Sequence, residues 1–195
     1  MPEEISCKNK TDEDLVTLTL KNQDFYVCIM ERYEGKLLRY VMRISRVSVE
    51  DGEDILQEVF IKVYQNLNGF DVKKSFSSWI YRIARNETIS QARKRKVRPE
   101  VTYSVDDEVI AKKMIAEADV QKEVDQRIQS KEVRDIIESL SKKYRDVLVL
   151  RYLEDKSYEE IADILKKPPG TVATLLNRAK KVFKKKAKQL VKHHE

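Results

Sequence analysis

Residues 157–183 read SYEEIADILKKPPGTVATLLNRAKKVF, and this stretch decides the fold. Tyr158, Ile161, Ala162 and Leu165 fall at i, i+3, i+4 and i+7, and Val172, Leu175, Leu176, Ala179 and Phe183 repeat that pattern, so the spacing predicts two short amphipathic helices. Ser157 and Glu160 form a capping box, in which each side chain satisfies an orphan backbone donor and fixes the start of the first helix. Lys166, Lys167, Pro168, Pro169 and Gly170 halt it, because proline lacks the N–H donor and clashes with the preceding turn. Thr171 is expected to cap the second helix. The pattern is that of a helix-turn-helix. Its second helix continues into Arg178, Lys180, Lys181, Lys184, Lys185, Lys186 and Lys188, cations suited to phosphates. A helical hairpin packed in a core with a solvated basic tail is the competing reading.

A chain of 195 residues holds one large or two small domains, and two are expected. Charged residues make up 37% of it while Gly and Pro number 4 each, a balance that favours helices, so the expected class is all-α. The net charge of +6 points to a polyanionic partner, provided that the basic residues cluster against 33 acidic ones. The opening MPEEISCKNKTDED lacks the basic start and apolar core of a leader, and no run approaches the roughly 18 apolar residues of a membrane span. A cytoplasmic protein with no direct membrane insertion is expected. Cys7 and Cys28 have no CxxC spacing and no nearby histidine, so free thiols are expected in preference to a zinc site or a disulfide.

Working outward from the hairpin, Thr11 or Asp12 opens a helix through Leu15, Val16, Leu18 and Leu20, and Asp24 opens another through Phe25, Ile29, Tyr33, Leu37, Leu38, Tyr40 and Val41. Gly35 is expected to weaken the second. In DGEDILQEVFIKVYQNLNGF, Ile55, Leu56, Val59, Phe60, Val63, Tyr64 and Leu67 form a wide apolar stripe, with acidic residues in the first turn and Asn68-Gly69 as the stop. Its polar face, Asp54, Gln57, Glu58 and Lys62, reads as either solvated surface or a docking face. After the loop FDVKKSF, the next helix sets Phe76, Trp79, Ile80 and Ile83 on one side, which makes Trp79 a core residue. Arg82, Arg85, Asn86, Arg93, Lys94, Arg95, Lys96 and Arg98 line the other, beside loop aromatics expected to be exposed. Cations interleaved with aromatics suit an unwound strand, whose phosphates need charge and whose bases need flat partners; a solvated basic face is the alternative. Residues 99–129 are acidic and weakly apolar, and read as a flexible linker with room for a transient helix near Val109–Ala118. The expected domains are therefore 11–98 and 130–192, two small helical domains of which the second carries the helix-turn-helix.

No catalytic constellation is assembled. His193 and His194 are the only histidines, and there is no GxSxG, no glycine-rich phosphate loop and no HExxH. Asp51, Glu53 and Asp54 read as residues that complement a helix dipole, so no metal, no cofactor, no small-molecule substrate and no enzymatic activity are expected.

DGEDILQEVF, FSSWIYRIARN and LSKKYRDVLVLRYLEDKSYEEIADILKKPPGTVATLLNRAKK, in this order and with this linker, resemble the bacterial extracytoplasmic-function sigma factors, a branch of the RNA polymerase sigma-70 family. The resemblance spans nearly the whole chain. It implies a transcription initiation factor that binds core RNA polymerase through the clamp coiled coil and the flap, directs it to promoter DNA and helps melt it. It also implies an anti-sigma factor as a partner. Asp51, Asp54, Gln57 and Glu58 fall where the family binds polymerase. Phe70, Asp71, Lys73, Lys74, Phe76, Arg82, Asn86, Arg93 and Arg95 fall where it reads the minus-10 element, and the loop 70–76 where it captures a flipped-out base. Thr171, Ala173, Thr174, Leu175, Arg178 and Lys181 fall where it reads minus-35. The chain departs from the family at Ser90 and Gln91, where an Asp and an aromatic are common. In the recognition helix the usual GTVKSRLHRA is GTVATLLNRA, with Ala173 for lysine, Leu175 for arginine and Asn177 for histidine. Leucine cannot make arginine's bidentate contact to guanine, worth about 1–3 kcal/mol of discrimination, so shape, thymine methyls and Arg178 are left to read that element. A stand-alone helix-turn-helix repressor or activator is the rival function.

Overall fold

The computed structural model describes residues 7–95, 136 and 139–193, and every regular element among them is helical. The chain divides into two compact units, Met1–Thr102 and Tyr103–Glu195. The expected linker 99–129, the transient helix within it and Arg98 lie outside the described residues.

In the first unit α1 (Asp12–Lys21) begins at Thr11, whose hydroxyl accepts from the Asp14 amide while the Asp14 carboxylate accepts from the Thr11 amide, each at 3.1 Å. This capping box stands at a position the sequence allowed for either Thr11 or Asp12, and the helix that follows buries Leu15 and Val16 and leaves Leu20 exposed at 45%. A 3-10 turn, Gln23–Phe25, leads into α2 (Tyr26–Ser45). Gly35 does not interrupt α2. It sits on the exposed side of a helix whose buried residues Ile29, Tyr33, Leu37, Tyr40, Val41 and Ile44 bind it to the rest of the unit, so packing outweighs one weak helix former.

Helix α3 (Val49–Asn66) starts two residues earlier than its acidic turn suggests, because Ser48 is the cap and its hydroxyl accepts from the Asp51 amide at 3.2 Å. Ile55, Leu56, Val59, Phe60 and Val63 are buried, and Gly52 lets α2 approach closely, with Met42 and Leu38 against the space a side chain would occupy. Tyr64, expected in the core, is instead 45% exposed. A 3-10 turn, Leu67–Gly69, and a short loop precede α4 (Phe76–Arg95). Helix α2 packs on α1, α3 and α4, with Phe76, Ile80, Tyr81 and Ala84 of α4 in the shared core.

The cysteines are not free. Cys7 and Cys28 form a disulfide, their Cα atoms 5.4 Å apart. The turn between α1 and α2 folds the chain back on itself, so residue 7 lies against the first turn of α2, a proximity that spacing alone does not reveal.

In the second unit α5 (Lys142–Tyr152) is buried almost all round, through Val147, Leu148, Val149, Leu150 and Tyr152. Helix α6 (Tyr158–Leu165) starts at the expected capping box, with Ser157 and Glu160 exchanging bonds of 3.1 and 2.8 Å. It ends on Lys166 in the left-handed region (φ 52°), where the Lys166 and Lys167 amides donate back to Asp163 and Ala162. Helix α7 (Pro169–His193) starts before the expected Thr171 cap. The Pro168 carbonyl accepts from the Thr171 and Val172 amides at 2.9 and 3.1 Å, and Pro169 occupies the first helical position, where its missing N–H costs nothing. Val172, Leu176, Ala179, Phe183 and Ala187 hold α7 against α5 and α6.

Candidate nucleic-acid interface and docking groove

Burial on one side of α7 dictates what the other side presents. Thr171, Thr174, Asn177, Arg178, Lys181 and Lys185 are exposed, on the face opposite Val172, Leu176 and Ala179. Ala173 and Leu175, which the sequence places among base-reading positions, are half-buried on the flanks of that face. Leu175 is close enough to the core side to share its apolar cover. Thr174 is the central outward position, and its hydroxyl donates to the Gly170 carbonyl at 2.9 Å. Two cations of the basic tail are engaged within the unit: Lys180 lies over the Tyr152 ring at 5.7 Å, and Lys186 donates to the exposed Ser139 Oγ at 2.7 Å. Asn177, noted from the sequence as replacing the family's histidine but not set among the reading positions, is exposed on this face. The signal was present, since it stands one turn beyond Thr174 and beside Arg178.

In the first unit the loop between Phe70 and Phe76 stands on an aromatic base. Phe76 is 0% exposed, on the apolar face that its spacing with Trp79 and Ile80 predicts, while Phe70, a loop aromatic expected to be exposed, is 8% exposed. The Phe70 ring centroid lies 5.4 Å from Phe76 and 5.1 Å from Trp79, and Phe76 lies 5.5 Å from Trp79. They are buried because they pack against each other and Trp79, and large rings remove much apolar area from water. The loop's exposed residues are Asp71, Val72, Lys73, Lys74 and Ser75. The Asp71 carboxylate accepts from the Lys73 amide at 3.1 Å and its carbonyl from the Lys74 amide at 2.9 Å, which holds the two lysines on a fixed turn. Ser75 begins α4, its hydroxyl accepting from the Ser78 amide at 3.2 Å, and Glu13 of α1 accepts from the Phe76 amide. Along α4, Asn86, Arg93 and Lys94 are exposed and Arg82 and Arg85 half-buried, while Arg95 ends the helix. Lys62 of the α3 polar face is tied to the buried Glu87 of α4. Burial by itself would raise the pKa of Glu87, but hydrogen bonds from Lys62 and Gln91 outweigh it and hold the carboxyl below its ordinary value.

The remaining α3 polar face, Asp54, Gln57 and Glu58, is exposed, and Asp51 is half-buried at the helix start. Beside it runs a groove between α2 and α3, floored by Tyr26, Leu38, Leu56 and Phe60. Its walls carry Val27, Met30, Ile61 and Tyr64, all at least 39% exposed, and its rim carries Asp24, Glu31, Glu34 and Glu53. Sequence reasoning missed Val27, Met30 and Ile61 because it followed only the core stripe of each helix, and it placed Tyr64 within that stripe. Val27 and Met30 lie off that stripe yet are apolar. Tyr26 closes one end, its hydroxyl donating to the Phe60 carbonyl at 2.6 Å and its ring 5.0 Å from Tyr64. Among the described residues no group of acidic, Cys or His side chains is arranged to hold a metal ion, and no helix is long and apolar enough to cross a membrane.

Family models described as Sigma-70 region 2 and Sigma-70, region 4 match residues 29–98 and 130–182. The ECF RNA polymerase sigma factor SigW of Bacillus subtilis (strain 168) is 36% identical over 182 residues, covering 87% of this chain and 92% of its own. The ECF RNA polymerase sigma-E factor of Escherichia coli (strain K12) is 34% identical over 194 residues, covering 93% and 97%. Two solved structures share the fold at a TM-score of 0.63. They are CnrH in complex with the cytosolic domain of CnrY, 20% identical over 94% of this chain and 99% of that one, and the sigma factor RpoE in complex with the anti-sigma factor NepR from Bartonella quintana, 19% identical over 87% and 98%.

Proposed function

We infer from its membership of the ECF RNA polymerase sigma factor family, to which this chain belongs, how its surfaces divide the work of promoter recognition. The protein is a transcription initiation factor that associates with core RNA polymerase and directs it to promoters. Three assignments follow. The α3 face with Asp51, Asp54, Gln57 and Glu58, together with the α2–α3 groove, docks on the polymerase clamp. The loop 71–75 with Lys73, Lys74, Arg82, Asn86, Arg93 and Arg95 holds the opened minus-10 strand, while Phe70 and Phe76 brace that loop from beneath. The outward face of α7 reads minus-35. These parts bind and position; none performs chemistry, so we assign no enzymatic activity. An anti-sigma factor is the expected regulator, by analogy with the RpoE–NepR complex, and the site of action is the cytoplasm.

The observation that carries the reading is the exposed stripe on α7 opposite a fully buried one, a surface free for a major groove. On it, Thr174 has committed its hydroxyl proton to Gly170 and presents chiefly a methyl group, suited to a thymine methyl. Asn177 suits the N6/N7 edge of adenine, Arg178 the O6/N7 edge of guanine, and Lys181 a phosphate. The test is reconstitution: core polymerase plus this protein should start transcription from fragments of its own genome that carry a two-part promoter. No initiation from any fragment, with stable binding to duplex DNA in the absence of polymerase, would instead establish a stand-alone repressor or activator.

A further inference from the structure

The Cys7–Cys28 disulfide takes no part in promoter reading, yet it sits at the edge of the docking groove. Cys28 is 1% exposed on α2, between the groove residues Val27 and Met30. Cys7 is half-buried in the segment ahead of α1. Its sulfur lies 3.9 Å from the Glu31 carboxylate on the groove rim, and its carbonyl accepts from Arg32 at 3.3 Å. Arg32 also pairs with Asp12 at 2.6 Å, so the bridged segment, the start of α1 and the second turn of α2 form one connected unit. A protein that works on RNA polymerase acts where the thiol pool is reducing, and a disulfide in such a compartment is usually transient, either catalytic or redox-sensing. With no catalytic machinery beside it among the described residues, the second role remains.

We propose that Cys7 and Cys28 are a reversible oxidation site, written by a hydroperoxide, whose bridged state orders the α2 wall of the groove and strengthens docking on polymerase. The proposal rests on reading that groove as the polymerase-docking surface. The more exposed Cys7 thiolate attacks the peroxide, taking one oxygen to become a sulfenic acid while the peroxide leaves as an alcohol. The Cys28 thiol then attacks that sulfur, forming the S–S bond and releasing water. Two thiols lose two electrons and two protons, and the hydroperoxide gains both. A cellular dithiol reverses the reaction by attack on the accessible Cys7 sulfur, becoming a disulfide itself. Bridging fixes the residues on either side of Cys28 before docking, so less ordering remains to be done on binding.

The test uses the full chain treated with tert-butyl hydroperoxide or with dithiothreitol. Alkylation and mass measurement should show both thiols blocked to reagent after peroxide and both modified after reduction. The bridged form should bind core polymerase about tenfold more tightly. Cys7→Ser should bind like the reduced protein under both treatments. The proposal is overturned if peroxide leaves both thiols alkylatable, or if bridged and reduced forms bind equally. Ile61→Glu separates the two readings: if it abolishes docking while the two redox forms bind alike, only the redox proposal falls. If Ile61→Glu has no effect, the groove is not the docking surface and both fall.

Discussion

The Glu13 carboxylate accepts a hydrogen bond from the Phe76 backbone amide at 3.0 Å, across 63 positions of sequence. A residue of α1 thereby satisfies one of the four orphan donors at the start of α4, next to the loop that bears Lys73 and Lys74. The carboxylate also complements the positive end of the α4 dipole. Glu13→Ala is expected to lower the stability of the first unit by about 1 kcal/mol, as loss of a helix cap does. Urea denaturation followed through Trp79 measures it, and Glu13→Gln should recover part of the loss by keeping an acceptor.

Two glycines give opposite expectations. At Gly35 an added Cβ meets only the far end of the Arg39 side chain at 3.4 Å, so Gly35→Ala should stabilise the protein by about 0.5–1 kcal/mol. At Gly52 a Cβ would come within 3.1 Å of Met42 Cγ and 3.3 Å of Leu38 Cδ1. There the same change forces α2 and α3 apart and is expected to cost about 1 kcal/mol net. Thermal melts of the two variants against the parent decide it, and a gain at Gly52 would show that Met42 yields without strain.

Glu87 sets an acid limit on stability. Its folded pKa lies below the ordinary 4.5 through its bonds to Lys62 and Gln91, so the stabilisation is fully present above 4.5 and is lost as the pH falls through the lower, folded value. Glu87→Gln should flatten this part of the stability–pH curve and cost about 1 kcal/mol at neutral pH, a modest figure because Lys62 is half-exposed. Denaturation midpoints measured through the acid range, parent against variant, provide the comparison.

Arg178 and Lys181 should separate specificity from affinity. Arg178→Ala is expected to relax preference at one base position of the upstream element by about 1–3 kcal/mol, and Asn177→Ala to do the same at a neighbouring position. Lys181→Ala should weaken all sequences alike and reduce the salt slope by about one. Holoenzyme binding to a library of upstream elements at several salt concentrations reads out both effects. Uniform weakening by Arg178→Ala would make it a phosphate contact.

Much of the fold was legible because it is written in local chemistry. The Ser157–Glu160 box needs only residues three apart, and the α3 stripe from Ile55 to Val63 needs only helical period. The same reasoning failed where two distant segments meet. Tyr64 fits the apolar stripe of α3 by spacing but lies at its edge beside Tyr26, where it is 45% exposed among the described residues. Phe70 borders a polar loop and suggested exposure, yet contact with the Phe76 and Trp79 rings draws it inward. On α7, spacing put Leu175 among both the core and the reading positions, and only packing against α5 and α6 showed which residues face out.

The sequence by itself determined that this is a helical protein of the sigma kind, because helix caps, stops and apolar periods act over a few residues and the family's motifs are contiguous. Tertiary structure alone decided that Cys7 meets Cys28, that Glu13 caps α4, that an apolar groove opens between α2 and α3, and that Thr174 rather than Leu175 faces outward. Each depends on the packing of elements far apart in the chain, where burial and the closing of long loops, not local propensity, select the neighbours.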